Sequence, residues 1–379
     1  MIPIRIATFN VSMEASNYRR HPREPLQPDA LQQRLATGRH RQIRNIAEII
    51  QRVRPDVILL NEFDYIADKT QGIDAFNCNY LNRPQRGAKA IDYPYRYVAP
   101  VNTGVPSPFD IDGDGVASGV GGDAYGFGFY PGQYGMALLS RYPIQTEQIR
   151  TFQHFRWAQM PNHQPIHNPD GSHFYDAATF AGLRLSSKSH WDLPLLIQNQ
   201  PLHILAAHPT PPVFDGAEKR NGARNFDEIR LWADYLQPNN SHYLSDDQGG
   251  HGGFRGDAPF VVLGDYNASA DEGNSRSGAI EQLLHHPAIN ASEIPTSSGG
   301  RNHSSTNPLG AQHTAAWRAR VDYVLPSKRG LTIRNSGVFW PTKDQPLARL
   351  MQQRSDSSDH RLVWLDLHLH LHQATADTD

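Results

Sequence analysis

The chain has 379 residues, 38% hydrophobic and 20% charged, with 36 Lys and Arg against 38 Asp and Glu for a net charge of -2. That is soluble globular composition, without the basic excess by which a dedicated binder of duplex DNA neutralises phosphates. The single cysteine, Cys78, excludes an internal disulfide and a thiolate zinc cluster, and no apolar run approaches the ~20 residues of a membrane helix.

The opening MIPIRIATFN reads as a strand over 4–9 and shows no signal peptide, although the numbering can equally begin after a removed one. Ile43, Ile46, Ala47, Ile50 and Val53 keep a helical spacing that Pro55 stops. Short apolar strands follow over 57–60, 136–139, 180–185, 193–197 and 203–207. A second helix runs through Phe226, Ile229, Trp232, Tyr235 and Leu236 to Pro238, and a weaker one covers Ile280, Leu283 and Leu284. The remaining strands are 260–263, 321–325 and 362–369. Several strands succeed one another with no helix between them, which points to an α+β fold of two packed sheets with helices outside. No linker or repeat divides the chain, so one domain over 1–379 is expected, with long loops near 100–135, 155–177, 245–259 and 296–316.

Polar groups gather at the ends of these strands. ATFN ends at Asn10, VILLNE at Asn61 and Glu62, LHILAAHPTPP carries His208, and FVVLGDYN ends at Asp265 and Asn267. RVDYVL carries Asp322, and SSDHRLVW sets Asp359 and His360 just before the last strand. Converging strand ends would form one cleft of carboxylates, amides and imidazoles. Such hard oxygen ligands suit Mg²⁺, Mn²⁺ or Ca²⁺ better than zinc, and imidazoles handle protons near neutral pH. Together they suit phosphoester hydrolysis.

In their order and spacing, Asn10 in TFN, Glu62 in NE, His208 in AAHPTP, Asp265 and Asn267 in GDYN, Asp322 in RVDYVL and Asp359–His360 in SDH resemble the endonuclease/exonuclease/phosphatase superfamily. The resemblance implies a four-layer α/β/β/α sandwich of two mostly antiparallel sheets flanked by helices. It implies Glu62 as the principal metal ligand, with Asn10 beside it and Asp359 nearby, for Mg²⁺ or Mn²⁺, with Ca²⁺ as the alternative. Asp265 would orient or deprotonate the attacking water, or hold a second metal, and Asn267 would contact the phosphate. Asp322 would orient His360 and support its charge. His208 would stabilise phosphoryl oxygens or assist the leaving group.

The stretch over 100–135 departs from the generic pattern, with nine glycines between Gly113 and Gly135. Asp110, Asp112, Asp114 and Gly115 repeat the opening of a calcium loop, but Gly121 stands where its twelfth-position acid belongs, and Asp123 is the nearest substitute. A structural Ca²⁺ is one reading, an Asp-Gly turn the other. The segment would also serve as a wall over the cleft lined by Tyr125, Phe127, Phe129 and Tyr130. With HPTPPVFDGAEKRNGARNFDEIR it resembles a phytase-like or phosphodiesterase/alkaline-phosphatase-like bacterial branch, which implies export and phosphoester hydrolysis. In LSSKSHWD, Lys188 and His190 alternate along a strand that either reaches the substrate or, the favoured reading, forms an exposed sheet edge. His368, His370 and His372 read as the wet side of a half-buried strand rather than a metal site. The expected function is a monomeric, metal-dependent hydrolase of small or exposed phosphoesters, with no membrane span. An endonuclease is disfavoured by charge, so nucleic acid is not the favoured partner, and a non-catalytic calcium-dependent binding module is the third alternative.

Overall fold

In the computed structural model, which describes residues 1–371, each of two sheets is organised around one parallel strand pair. The strands are β1 (Ile2–Met13), β2 (Val57–Phe63), β3 (Tyr95–Tyr97), β4 (Met136–Ser140), β5 (Arg150–Thr151), β6 (His190–Ile197), β7 (Gln200–Ala207), β8 (Phe260–Asp265), β9 (Asp322–Pro326), β10 (Leu331–Val338) and β11 (Val363–Leu369). One sheet runs β10-β11-β1-β2-β4-β3 and the other β5-β6-β7-β8-β9. Only β1/β2 and β7/β8 pair in parallel; every other neighbouring pair is antiparallel. A parallel pair needs a crossover, and each has a helix in it: Arg41–Val53 between β1 and β2, Arg220–Tyr235 between β7 and β8. The predicted stripe Ile43, Ile46, Ile50 and Val53 is buried, and the first helix ends at Arg54, in a left-handed conformation before Pro55.

Side-chain alternation explains the layering. In β7, Leu202, Ile204 and Ala206 join the core shared with the first sheet, while Leu205 and Ala207 join the core under Trp232 of the second helix. In β8, Val261 and Leu263 face inward and Phe260 and Val262 outward. Strands apolar on both faces place the second sheet between the first sheet and its own helix, giving the expected α/β/β/α sandwich.

Four elements differ from expectation. Residues 177–182 form the helix Ala177–Gly182 rather than the start of a strand. Asp176 caps it by accepting from the Thr179 amide, a local bond that outweighs the β-preference of Thr179 and Phe180. The whole of β10 escaped prediction because LTIRNSGV is polar at its centre; it is an edge strand with exposed Arg334 and a register shift opposite β11. The short edges β3 and β5 lack any hydrophobic run. In β11, His368 Nδ1 accepts from Arg334 Nε, and just beyond it His370 Nε2 bonds Thr332 Oγ1, so these histidines dress the outer strand; His372 lies outside the described residues.

Gly264 fixes the approach of β8 to β7. Its φ is +150°, and a Cβ there would sit 2.0 Å from the Ala207 carbonyl oxygen. Gly264→Ala should therefore cost at least about 2–3 kcal/mol, read as a lower urea midpoint at unchanged slope. A midpoint within error of wild type would refute that packing argument.

Candidate active site

The cleft lies where both parallel pairs end, and the backbone leaves the regular pleat to build it. β1 shifts register against β2 after Asn10, with Ser12 at φ +48°, and Glu62 in β2 sits at φ +55°. Positive φ at non-glycine residues costs energy and turns a side chain out of the alternation. Asn61, fully buried, bridges the sheets: its Oδ1 accepts from Thr8 Oγ1 and from the Asp265 amide, each at 3.2 Å. Sequence reasoning gave Asn61 no role.

Asp265 is the hub. Its Oδ2 accepts from Asn10 Nδ2 at 3.0 Å and lies 3.4 Å from His208 Nε2 and 3.5 Å from His360 Nε2. Burial opposes its ionisation, but His360, His208 and Asn10 outweigh burial and hold the carboxyl well below the usual range. Behind it, His360 Nδ1 contacts Asp322 Oδ2 at 2.9 Å, and both residues are buried. Burial alone would lower the His360 pKa; Asp322 and Asp265 reverse that and raise it to about 10, so the ring is an imidazolium at neutral pH. Burial pushes the Asp322 carboxyl upward, and the His360 charge opposes the shift. The edge of the half-exposed Trp317 lies against His360, with ring centroids 4.7 Å apart. Its turn is tied to the His360 segment by the Ala316 amide on the Asp359 carbonyl and the Arg361 amide on the Thr314 carbonyl.

Asp359 turns the other way from its neighbour. It accepts from Ser12 Oγ at 3.2 Å and lies 3.5 Å from Arg354 Nε. Burial first, then the Asp359 charge, raise the Glu62 pKa to about 7, with His360 and Asn10 only partly offsetting them. Two carboxylates that repel one another, with the Asn10 amide hydrogen-bonded beside Glu62, are a group that a divalent cation would relieve.

A profile of the "Endonuclease/Exonuclease/phosphatase family" matches residues 7–360. The chain belongs to this family. Endonuclease/exonuclease/phosphatase proteins are typically hydrolases that act on phosphoesters. No curated protein matches the chain. Among solved structures, an endonuclease/exonuclease/phosphatase from Beutenbergia cavernae aligns over 97% of this chain and 72% of its own, at 16% identity and TM-score 0.51. The human Nocturnin catalytic domain aligns over 97% and 95% at 15% identity and TM-score 0.46. Sphingomyelinase C from Streptomyces griseocarneus aligns over 97% and 99% at 14% identity and TM-score 0.46.

In this family member, Asn10, Glu62, His208, Asp265, Asp322, Asp359 and His360 converge, and Asn267 follows Asp265 in a turn rather than along the strand. β8 stops at Asp265; Asn267 has φ +51°, its backbone amide donates to Asp265 Oδ1, and its Nδ2 donates to the Pro209 carbonyl. The turn forms because Asp265 caps it, so the two side chains do not share a strand face. His208 is buried and neutral: burial, then Lys188, lower its pKa to about 4, and its Nδ1 has no hydrogen-bond partner. The exposed-edge reading of Lys188 and His190 fails, since both are buried. His190 is structural, bonded to Ser186 Oγ and the Glu228 carbonyl. Lys188 belongs to the cleft; burial lowers its pKa while Glu228, Glu62 and Asp265 favour its charge. Glu228, unremarked in the sequence, accepts from the Ser187 and Thr210 amides at 2.6 Å each and so places both Lys188 and the loop after His208.

The glycine-rich loop packs behind that corner, where a Cβ on Gly126 would lie 2.0 Å from the Ser187 carbonyl oxygen. Tyr130 does not line a wall: its Oη donates to Asp64 Oδ2 and accepts from the Ala15 amide, whereas Phe127 and Phe129 are exposed. Asp123 does join Asp110, Asp112 and Asp114, with one oxygen of each within 4.8 Å of the others. These carboxylates also accept backbone amides, including Gly113 and Gly115 on Asp110 and Ile111 on Asp123.

Proposed function

We propose that the chain hydrolyses small or exposed phosphoesters with a divalent cation, Mg²⁺ or Mn²⁺, held by Glu62 with Asn10 and Asp359. One observation carries the reading: a single Asp265 oxygen meets Asn10, His208 and the His360 imidazolium beside the mutually repelling Glu62–Asp359 pair. When bound, the cation would neutralise charge on the phosphoryl group and favour the attacking hydroxide. Asp265, too acidic to be a strong base, orients the attacking water; neutral His208 donates to it and fixes its rotamer. Lys188 faces the phosphoryl oxygens as a buried positive charge. His360, supported by Asp322, gives its proton to the departing oxygen. The imidazolium next to Asp265 disfavours a second cation there, so one metal is proposed. The near-neutral charge favours small substrates over DNA.

The test is turnover of p-nitrophenyl phosphate, bis-p-nitrophenyl phosphate and supercoiled plasmid with Mg²⁺, Mn²⁺ or Ca²⁺. Chelator-sensitive hydrolysis of either nitrophenyl ester supports the proposal. Nicking alone, lost in Glu62→Gln, would replace it with an endonuclease; no turnover of any of the three would favour a binding module. A structural Ca²⁺ at Asp110, Asp112, Asp114 and Asp123 belongs to the same proposal, and Ca²⁺ titration of Glu62→Gln reads that loop without its principal catalytic ligand.

A further inference from the structure

A cavity of about 530 Å³ adjoins the Asp359 side of the cleft, lined in part by Ser12, Asn17, Tyr18, His40, Arg41 and Arg354, with no Asp or Glu in its lining. Two of its lining residues touch the proposed metal ligand Asp359: Ser12 Oγ donates to it at 3.2 Å and Arg354 Nε lies 3.5 Å from the same carboxylate. Arg41 is the first residue of the helix Arg41–Val53, and its N-cap, His40, makes no side-chain capping bond, so the positive end of the helix is uncapped at this wall. His40 Nδ1 is buried without a hydrogen-bond partner. The surrounding segment is strongly cationic in a chain of net charge -2: residues 17–54 hold nine Arg against three acids. Burial and the charges of Arg34 and Arg41 lower the His40 pKa to about 4, so the surroundings already disfavour one more positive charge. Asp356, 3.2 Å from Arg41, and Asp359 are the acids that meet the two lining arginines, one each, from outside the cavity.

We propose that this cavity binds a second anionic group, a phosphate or comparable dianion, on the substrate whose scissile phosphoester lies at Glu62 and Asp265. Two guanidiniums and an uncapped helix end match a phosphate's oxygens, and the volume fits a small group rather than a duplex. The proposal rests on the phosphoester-hydrolase reading and narrows its substrates to small bisphosphorylated or diphosphate-bearing molecules.

The test has one arm that needs no catalysis. Chelator-treated wild type, Arg41→Ala and Arg41→Ala/Arg354→Ala are titrated calorimetrically with pyrophosphate at low ionic strength. Wild type should bind, and the double variant should bind at least tenfold more weakly with an unchanged circular dichroism spectrum. In the kinetic arm, the ratio of kcat/KM for a hexose bisphosphate over the hexose monophosphate should fall tenfold or more in Arg41→Ala, with Arg41→Lys restoring part of it. Equal pyrophosphate binding by all three proteins, or no binding by wild type, would overturn the proposal. So would variants that impair plasmid nicking while leaving the hexose ratio unchanged. Binding that follows the expected order in a protein with no phosphoester turnover would uphold the anion site and sink only the hydrolase reading.

Discussion

Glu62→Gln should lower phosphoester turnover by about 10³-fold or more and, in chelator, raise the stability of the fold. The first effect follows from removing the carboxylate proposed to hold the cation. The second follows from the Glu62 pKa, raised to about 7 by burial and Asp359. As pH rises, the unfolded chain loses this proton near its ordinary value of about 4.5, while the folded chain keeps it until about 7. Stability therefore falls across that window and stays lower above it, by up to about 3 kcal/mol. Glutamine carries no charge and escapes the loss. A saturating cation should reverse the ranking, raising the melting temperature of wild type by linkage and that of the variant far less. Wild-type turnover in the variant, or an equal thermal response of both proteins to metal, would remove Glu62 from the site.

Asp322→Asn should cost roughly 10²–10⁴ in turnover, with a changed pH profile as its signature. The His360 proton persists to about 10 because Asp322 and Asp265 together overcome burial. With Asp322 neutral, the folded pKa falls, and the alkaline limb of kcat against pH should move down toward neutrality. Wild-type His360 also contributes stability that is complete below about 6.5, its unfolded value, and is lost as pH rises through about 10; the variant should lose the part of it that Asp322 supplies. Lower activity with an unshifted alkaline limb would mean that Asp322 only packs the ring.

The sequence points to candidate residues where an apolar run abuts a polar group: Glu62 and Asp265 at the ends of their strands, and the Asp359–His360 pair just before the last one. It misled wherever a local hydrogen bond redirects the chain. The spacing in GDYN puts Asn267 two residues along a strand that Asp265 itself terminates, and the apolar run 180–185 reads as strand where Asp176 caps a helix. Lys188 looked like an exposed edge because nothing nearby in sequence shows that Glu228, some forty residues later, fastens its neighbour Ser187. β10 was illegible because an edge strand pairs on one side only and need not be apolar.

Asn61 carries a consequence for time rather than geometry. Through it and its neighbours, the cleft is made of contacts between residues far apart in the chain: Asn10 to Asp265 spans 255 positions, and Ser12 to Asp359 spans 347. Closing such long loops is slow, and neither sheet holds a working set of groups by itself. Secondary structure in a refolding chain should therefore return well before turnover, which would be the last property regained.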